Sequence, residues 1–69
     1  MNKSSGNKLS QIVKKLREEK GLSQEKLARL SDVSNNTIVN IEAGKQNNPT
    51  IDTLKRIAKA LEIPVDSLI

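Results

Sequence analysis

Residues 24–42, QEKLARLSDVSNNTIVNIE, decide the fold because they predict two short helices separated by a tight turn. Ser23 and Ser34 are each placed to cap one helix, since a serine hydroxyl accepts from the free N–H groups at a helix N-terminus. Asp32 interrupts the helical pattern between them, and aspartate tolerates the left-handed backbone of a turn. The apolar residues of both helices recur at helical spacing, which predicts a shared buried face of Leu27, Ala28, Ile38 and Ile41.

The second of these helices is expected to run from about Asn35 to Ala43 and to present an uncharged polar face to solvent. Amides projecting from such a helix suit the major groove of duplex DNA, because asparagine binds adenine N6 and N7 bidentately. Asn36 and Asn40, one turn apart, are therefore the best candidates for base contacts, and Asn35 either shares that role or contacts phosphate. Val39 either meets a thymine methyl group or is a stray surface apolar residue. A plain solvated face is the alternative for the whole set.

The stretch resembles the helix-turn-helix of the Cro and phage-repressor family of DNA-binding regulators, and the likeness extends from Leu9 to Ile69. It implies an all-α, compact five-helix domain of the lambda-repressor-like type, with the motif formed by helices 2 and 3. Two departures are Asp32, where the family most often has glycine, and a slightly long loop at residues 45–48. The residues that carry the likeness include Arg17, Gly21, Gln24, Leu27, Ala28, Val33, Ser34, Ile38, Ile41, Glu42, Gly44, Pro49, Leu54, Ile57 and Leu61.

The resemblance also implies roles for charged and polar side chains around the motif. Arg17 and Glu42 are expected to form a partly buried ion pair between the first and third helices, and two independent surface charges are the alternative. Phosphate contacts are expected at the helix N-termini, where free N–H groups attract anions, and in the loop that follows the motif. The candidates are Gln24, Ser34, Thr37, Lys45, Gln46 and Asn47.

The chain before the motif divides into a tail and a helix. Residues 1–7 are polar and aperiodic, which predicts a flexible tail outside a DNA-binding domain formed by residues 8–69. The first helix is expected from about Lys8 to Lys20, since its apolar residues follow helical spacing and Gly21 suits the C-terminal cap.

The chain after the motif predicts two more helices. Thr50 is a suitable N-cap for the fourth, whose inward stripe is complete before Pro64. Pro64 in turn suits the first position of a short closing helix over residues 65–69. This end of the chain is strongly apolar, and the side chains that do not cap the core are expected to form a homodimer surface. They are drawn from Ile63, Val65, Leu68 and Ile69.

Composition excludes several classes of function, since the 69 residues include no histidine, cysteine or aromatic residue. Without histidine and cysteine, the usual acid–base and nucleophilic constellations are missing, and no thiolate metal site is available. We therefore expect no enzyme, and no cofactor, metal or small-molecule ligand. No apolar run suits a membrane span, so a cytoplasmic location is expected. The lack of aromatic stacking platforms disfavours single-stranded nucleic acids and leaves duplex DNA.

The charge is uneven along the chain. The net charge is +4, and the excess lies in residues 1–45, with nine basic and five acidic side chains. Such a distribution favours a surface that faces phosphates, although ordinary solubility charge is the alternative. The sequence thus predicts a sequence-specific regulator of transcription, a repressor that binds a palindromic operator as a homodimer. An antitoxin or adaptor-type interaction module on the same fold is the competing hypothesis.

Overall fold

The computed structural model of the protein describes residues 4–46 and 48–68, which form four α-helices and one 3-10 helix. The α-helices are α1 (Ser4–Glu19), α2 (Gln24–Ser31), α3 (Asn35–Glu42) and α4 (Ile51–Leu61), and the 3-10 helix is Val65–Leu68. The all-α prediction is confirmed, and the predicted short closing helix is present as a 3-10 helix rather than as a fifth α-helix. In this segment the Ser67 N–H donates to the Pro64 carbonyl oxygen at 3.0 Å, an i to i+3 bond typical of short 3-10 helices.

Three helices begin where the sequence places a capping side chain. Ser23, Ser34 and Thr50 have extended backbones, and their hydroxyl oxygens accept from the backbone N–H three residues further on, at 3.0, 3.1 and 3.1 Å. Each bond satisfies one of the N–H groups that have no partner within the helix. The predicted N-caps are therefore confirmed, and they fix where both motif helices start.

Both α2 and α4 end at a left-handed residue that is not glycine. Asp32 has φ 59° and Glu62 has φ 62°, and backbone N–H groups at each cap return to carbonyls of the last turn. A side chain in this conformation costs about 1–2 kcal/mol. In both positions the carboxylate is paired with a distant cation, Arg56 of α4 for Asp32 and Lys20, just after α1, for Glu62. The left-handed turn expected at Asp32 is confirmed.

Helix α1 begins four residues before its predicted start. Residues 4–7, part of the predicted tail, belong to the helix, and residues 1–3 lie outside the described part of the chain. The apolar stripe begins only at Leu9, so periodicity carries no signal for the first turn. No proline stands there to stop the helix. At the other end, Gly21 has φ +70°, as a glycine cap requires.

Aliphatic side chains from all four α-helices and the 3-10 helix form the core. The buried residues are Leu9, Val13, Leu27, Ala28, Ile38, Ile41, Leu54, Ile57, Ala58, Leu61 and Leu68. Their positions agree with the predicted inward stripes. Helix α2 packs against α3 and α4, while α1 packs against α3, so the motif is held from both sides. None of the described helices is long and apolar enough to span a membrane.

The apolar side chains of the closing segment pack mainly against the core. Leu68 is only 5% exposed, so it is one of the side chains that cap the core of a single chain and is not left for a partner surface. Ile63 and Val65 are half-buried and pack against the same core, and Ile69 lies outside the described residues. The large apolar side chains that remain exposed in residues 4–46 and 48–68 are Leu30 and Ile51.

Candidate nucleic-acid interface

Helix α3 is fixed on one side and open on the other. Ile38 and Ile41 are fully buried, whereas Asn36 is exposed and Val39 and Asn40 are half-buried. At about 100° per residue, Asn36 lies almost opposite the mean direction of the two isoleucines. Val39 and Asn40 lie about 50° to either side of the outward direction. The outward face, which we define as Asn35, Asn36, Val39 and Asn40, is thus centred on Asn36.

The amides of this outward face are free. No hydrogen bond between described residues involves the side-chain amides of Asn35, Asn36 or Asn40. Ser34 and Thr37 differ, because the Ser34 Oγ accepts from the Thr37 N–H and lies 2.8 Å from the Thr37 Oγ1. Both hydroxyls therefore serve the cap first. Phosphate contacts by these two hydroxyls remain a prediction. The unpaired backbone N–H groups of the first turn are better suited to bind phosphate.

The loop after α3 folds back on the end of that helix. The backbone N–H groups of Lys45 and Gln46 both donate to the Asn40 carbonyl oxygen, at 2.9 and 3.1 Å. Both side chains are exposed, and the Lys45 ammonium group has no ion-pair partner among the described residues. A free cation therefore lies beside the outward face. The third residue predicted in this loop, Asn47, lies outside the described residues.

A buried ion pair joins the C-terminal end of α3 to α1. Arg17 Nε donates to Glu42 Oε2 at 2.6 Å and Arg17 Nη2 donates to Glu42 Oε1 at 3.0 Å. The two side chains are only 11% and 3% exposed. Arg17 Nη1 also donates to the Leu22 carbonyl oxygen, so the arginine holds the loop before α2 as well. The hydrogen bond to Glu42 raises the pKa of Arg17, against an opposing effect of burial.

Gln24 adds a third member to this pair. Its Nε2 donates to Glu42 Oε1 at 3.0 Å, an orientation that follows from the carboxylate's being an acceptor only. The side chain is half-buried, so part of its donor capacity is used inside the protein. Its predicted phosphate contact is therefore limited to the remaining amide N–H and to the backbone N–H groups at the start of α2. We call Arg17, Gln24 and Glu42 the Glu42 network.

Arg56 connects α4 to the turn of the motif, a contact that the sequence analysis missed. Its Nε donates to Asp52 Oδ2 at 2.8 Å, and its Nη1 donates to Asp32 Oδ2 at 2.8 Å and to the Asp32 carbonyl oxygen at 3.2 Å. The hydrogen bond to Asp52, and next that to Asp32, raises the pKa of Arg56. The i, i+4 spacing of Asp52 and Arg56 was visible in the sequence. Nothing in the sequence indicated the contact with Asp32.

Comparison with known families identifies this arrangement. A family model described as Helix-turn-helix (HTH_3) matches residues 13–68, which include all of α2, the turn and α3. The chain belongs to this family, the helix-turn-helix proteins of the Cro and phage-repressor type. The resemblance drawn from the sequence is thereby confirmed.

Two regulators are among the relatives that are similar in sequence. SinR of Bacillus subtilis, named as an HTH-type transcriptional regulator, is 33% identical over 61 residues, which cover 88% of this chain and 55% of SinR. RghR of the same organism, named as an HTH-type transcriptional repressor, is 45% identical over 53 residues, covering 77% of this chain and 39% of RghR. The chain therefore spans about half the length of SinR and less of RghR.

Among solved structures, the restriction-modification controller protein C.AhdI from Aeromonas hydrophila is similar over nearly the whole chain. The TM-score is 0.89 at 33% identity, and the match covers 97% of this chain and 100% of C.AhdI. A likeness of this extent includes the packing of all four α-helices around the motif.

Proposed function

We propose that the protein is a sequence-specific, double-stranded DNA-binding regulator of transcription that represses by occupying its operator. The observation that carries the proposal is the outward face of α3, where three free amides project from a helix anchored by two fully buried isoleucines. The family and the regulators SinR and RghR support the same class of function.

In this proposal, α3 enters the major groove and the surrounding groups bind phosphate. Asn36 and Asn40 meet base edges, while Lys45 and the N-terminus of α2 beside Gln24 contact the backbone of the duplex. The Glu42 network links these regions, because Glu42 ends α3 and Gln24 begins α2. The interface is therefore organised before DNA arrives, which lowers the entropy lost on binding.

The proposal extends to a homodimer on a palindromic operator. One recognition helix contacts few base pairs, whereas two related by a two-fold axis meet successive major grooves about 34 Å apart. Support for a partner surface comes from a shallow groove between α1 and the closing segment, whose apolar lining is Ile12, Leu16 and Ile63. Ile63 is one of the residues from which the sequence predicts the dimer surface. Because Leu68 is buried, we assign the dimer surface to this groove instead.

Sedimentation at micromolar concentration tests the dimer. Ile63→Lys should shift the protein towards monomer, whereas Ile51→Lys, at an exposed apolar residue of α4 that does not line the groove, serves as the control for the new charge. Thermal unfolding of both variants separates a loss of association from a loss of folding. A parent protein that stays monomeric and binds a single half-site would contradict the dimer and leave DNA binding intact.

Binding to specific and scrambled duplexes across a salt series tests the main proposal. Asn36→Ala and Asn40→Ala should each cost about 1–3 kcal/mol on the preferred site and little on scrambled DNA. Lys45→Ala should weaken all duplexes alike and reduce the salt slope by about one unit per half-site, since a phosphate contact carries no sequence information. Lys59→Ala, an exposed lysine of α4 with no proposed contact, is the control.

The competing function has a distinct outcome in the same experiment. An adaptor or antitoxin would use the outward face for protein contacts, or not at all. If both asparagine variants bind the specific duplex as tightly as the parent does, α3 does not contact bases. The adaptor function would then take precedence.

A further inference from the structure

Every group on α3 that commonly recognises a G·C pair is missing or already occupied. Helix α3 contains no arginine or lysine, the side chains that bind guanine O6 and N7. Its one acid, Glu42, accepts hydrogen bonds from Arg17 and Gln24 and is 3% exposed, so it is not available to cytosine N4. The hydroxyl of Thr37 is bound to Ser34 at the cap. Little capacity to recognise a G·C pair remains.

The groups that are left match A·T pairs. An amide offers one donor and one acceptor, which fits the adenine N7 acceptor and N6 donor, whereas guanine presents two acceptors at the same edge. Asn36 and Asn40 are free to make this contact. The half-buried Val39 lies on the other side of Asn36 from Asn40, where its apolar surface suits the C5-methyl group of thymine.

We infer that the half-site contacted by α3 is built from A·T pairs, with Asn36 and Asn40 each bound to an adenine and Val39 against a thymine methyl group. This inference rests on the proposed function. Asn36 and Asn40 are about 6 Å apart along the helix axis, at a rise of about 1.5 Å per residue. Base steps are about 3.4 Å, so the two adenines lie about two steps apart when the helix follows the groove.

In this geometry the contacts that distinguish one base pair from another are uncharged, and the charged contacts are made to phosphate. The outward face carries no charged side chain, while Lys45, in the loop after α3, has no ion-pair partner among the described residues. Salt acts on phosphate contacts through counterion release, and these are shared by all duplexes. If α3 adds only uncharged base contacts to the same phosphate contacts, the ratio of specific to scrambled affinity should not change with salt, even though both affinities fall as salt rises.

Base analogues in a selected duplex provide the test. The duplex is first selected from a random pool with the parent protein, and each adenine is then replaced by 7-deaza-adenine, which lacks the N7 acceptor. One replacement should weaken the parent about five- to tenfold and leave Asn36→Ala unaffected, and a second should behave in the same way with Asn40→Ala. Deoxyuridine in place of one thymine should weaken the parent about twofold to fivefold and leave Val39→Ala unchanged.

The outcomes distinguish this inference from the proposed function. A selected site whose asparagine-dependent positions are G·C pairs would overturn the inference and leave sequence-specific DNA binding in place. So would asparagine variants that remain as sensitive to 7-deaza-adenine as the parent. Specificity that falls steeply with salt would contradict the uncharged contact. If no duplex is preferred over scrambled DNA, the proposed function fails, and the inference fails with it.

Discussion

Two arginines tie the helix-turn-helix to the rest of the molecule, and they differ in their surroundings far more than in their geometry. Arg17 approaches Glu42 to 2.6 Å and Arg56 approaches Asp32 to 2.8 Å. The Arg17 pair is 11% and 3% exposed, whereas the Arg56 pair is 43% and 91% exposed. Each arginine also donates to a backbone carbonyl, so the numbers of hydrogen bonds are similar.

The difference shows that distance alone does not measure an ion pair's contribution. Water and salt can replace the exposed partner of Arg56, so such pairs contribute little. Water and salt reach Glu42 less readily, because its side chain is buried. Removing one partner of a buried pair leaves the other charge desolvated and unpaired. The end of α3 is therefore held by Arg17, whereas the turn at Asp32 depends mainly on its own backbone hydrogen bonds.

The largest expected effect is the loss of one partner of the buried pair. Arg17→Met or Glu42→Leu should lower the free energy of unfolding by about 3–5 kcal/mol, because each strands a buried charge. A domain of this size is stable by only about 3–10 kcal/mol, so either variant should be largely unfolded at moderate urea concentrations. Urea unfolding at low temperature, followed by circular dichroism, is the measurement.

The double variant Arg17→Met, Glu42→Leu keeps this prediction testable even where the single variants barely fold. With both charges removed, its unfolding midpoint should be nearer to that of the parent than either single variant is. Additive losses, to within about 0.5 kcal/mol, would mean that the two charges are not coupled.

The next effect concerns the hydrogen bond from Gln24 to Glu42. Gln24→Ala should lower the free energy of unfolding by about 1–2 kcal/mol, because Glu42 loses a donor but keeps Arg17. Gln24→Glu should cost more, since it brings a second carboxylate to the same site. Binding to scrambled duplexes should also weaken in Gln24→Ala if this residue contacts phosphate. Unchanged DNA affinity would restrict Gln24 to a structural role.

The sequence predicted the local parts of this picture well. Caps at Ser23, Ser34 and Thr50 and the buried stripes follow from short-range rules of hydrogen bonding and periodicity, and the structure contains them. The pair of Arg17 with Glu42 is also distant along the chain, but the family resemblance implied it. The contacts of Arg56 with Asp32 and of Gln24 with Glu42 were not predicted, because each joins residues far apart in the chain and the resemblance implied neither. They depend on interhelical angles that no local pattern specifies.

The apolar chain end shows the same limit from another side. Periodicity and composition placed Ile63, Val65 and Leu68 together, but could not divide them between the core and a partner surface. That division depends on how the closing segment packs against α1 and α4. In the structure, Leu68 is buried in the core. The contacts of α3 with bases remain predictions, since they require DNA itself.

A smaller effect is expected at the exposed arginine. Arg56→Gln should lower the unfolding midpoint slightly at low salt, and the difference should disappear near 1 M salt, where charges are screened beyond about 3 Å. The deficit of Arg17→Met should persist at that salt concentration, since its partner is buried. Parallel urea titrations of both variants at two salt concentrations provide the measurement. Equal and salt-independent losses would remove the distinction between the two arginines.

The smallest effect belongs to a third pair, between Lys20 and Glu62, which joins the ends of α1 and α4. Lys20 Nζ lies 2.8 Å from Glu62 Oε1, and this hydrogen bond lowers the pKa of Glu62 below its ordinary value of 4.5. A carboxyl group with a lowered pKa in the folded state stabilises that state when ionised. The contribution is therefore present above the pKa of the unfolded chain and is lost as the pH falls through the folded value.

Glu62→Gln tests this pH dependence with little change in shape. Glutamine keeps the length of the side chain and the left-handed backbone of the cap, so the variant removes mainly the charge. The parent should be slightly more stable than Glu62→Gln at pH 7, and the two should converge as the pH falls through the lowered pKa of Glu62. Asp66→Asn, another exposed acid near the chain end, is the control, and its difference from the parent should not follow this pattern. A gap between parent and Glu62→Gln that widens as the pH falls would mean that the ion pair with Lys20 does not stabilise the fold.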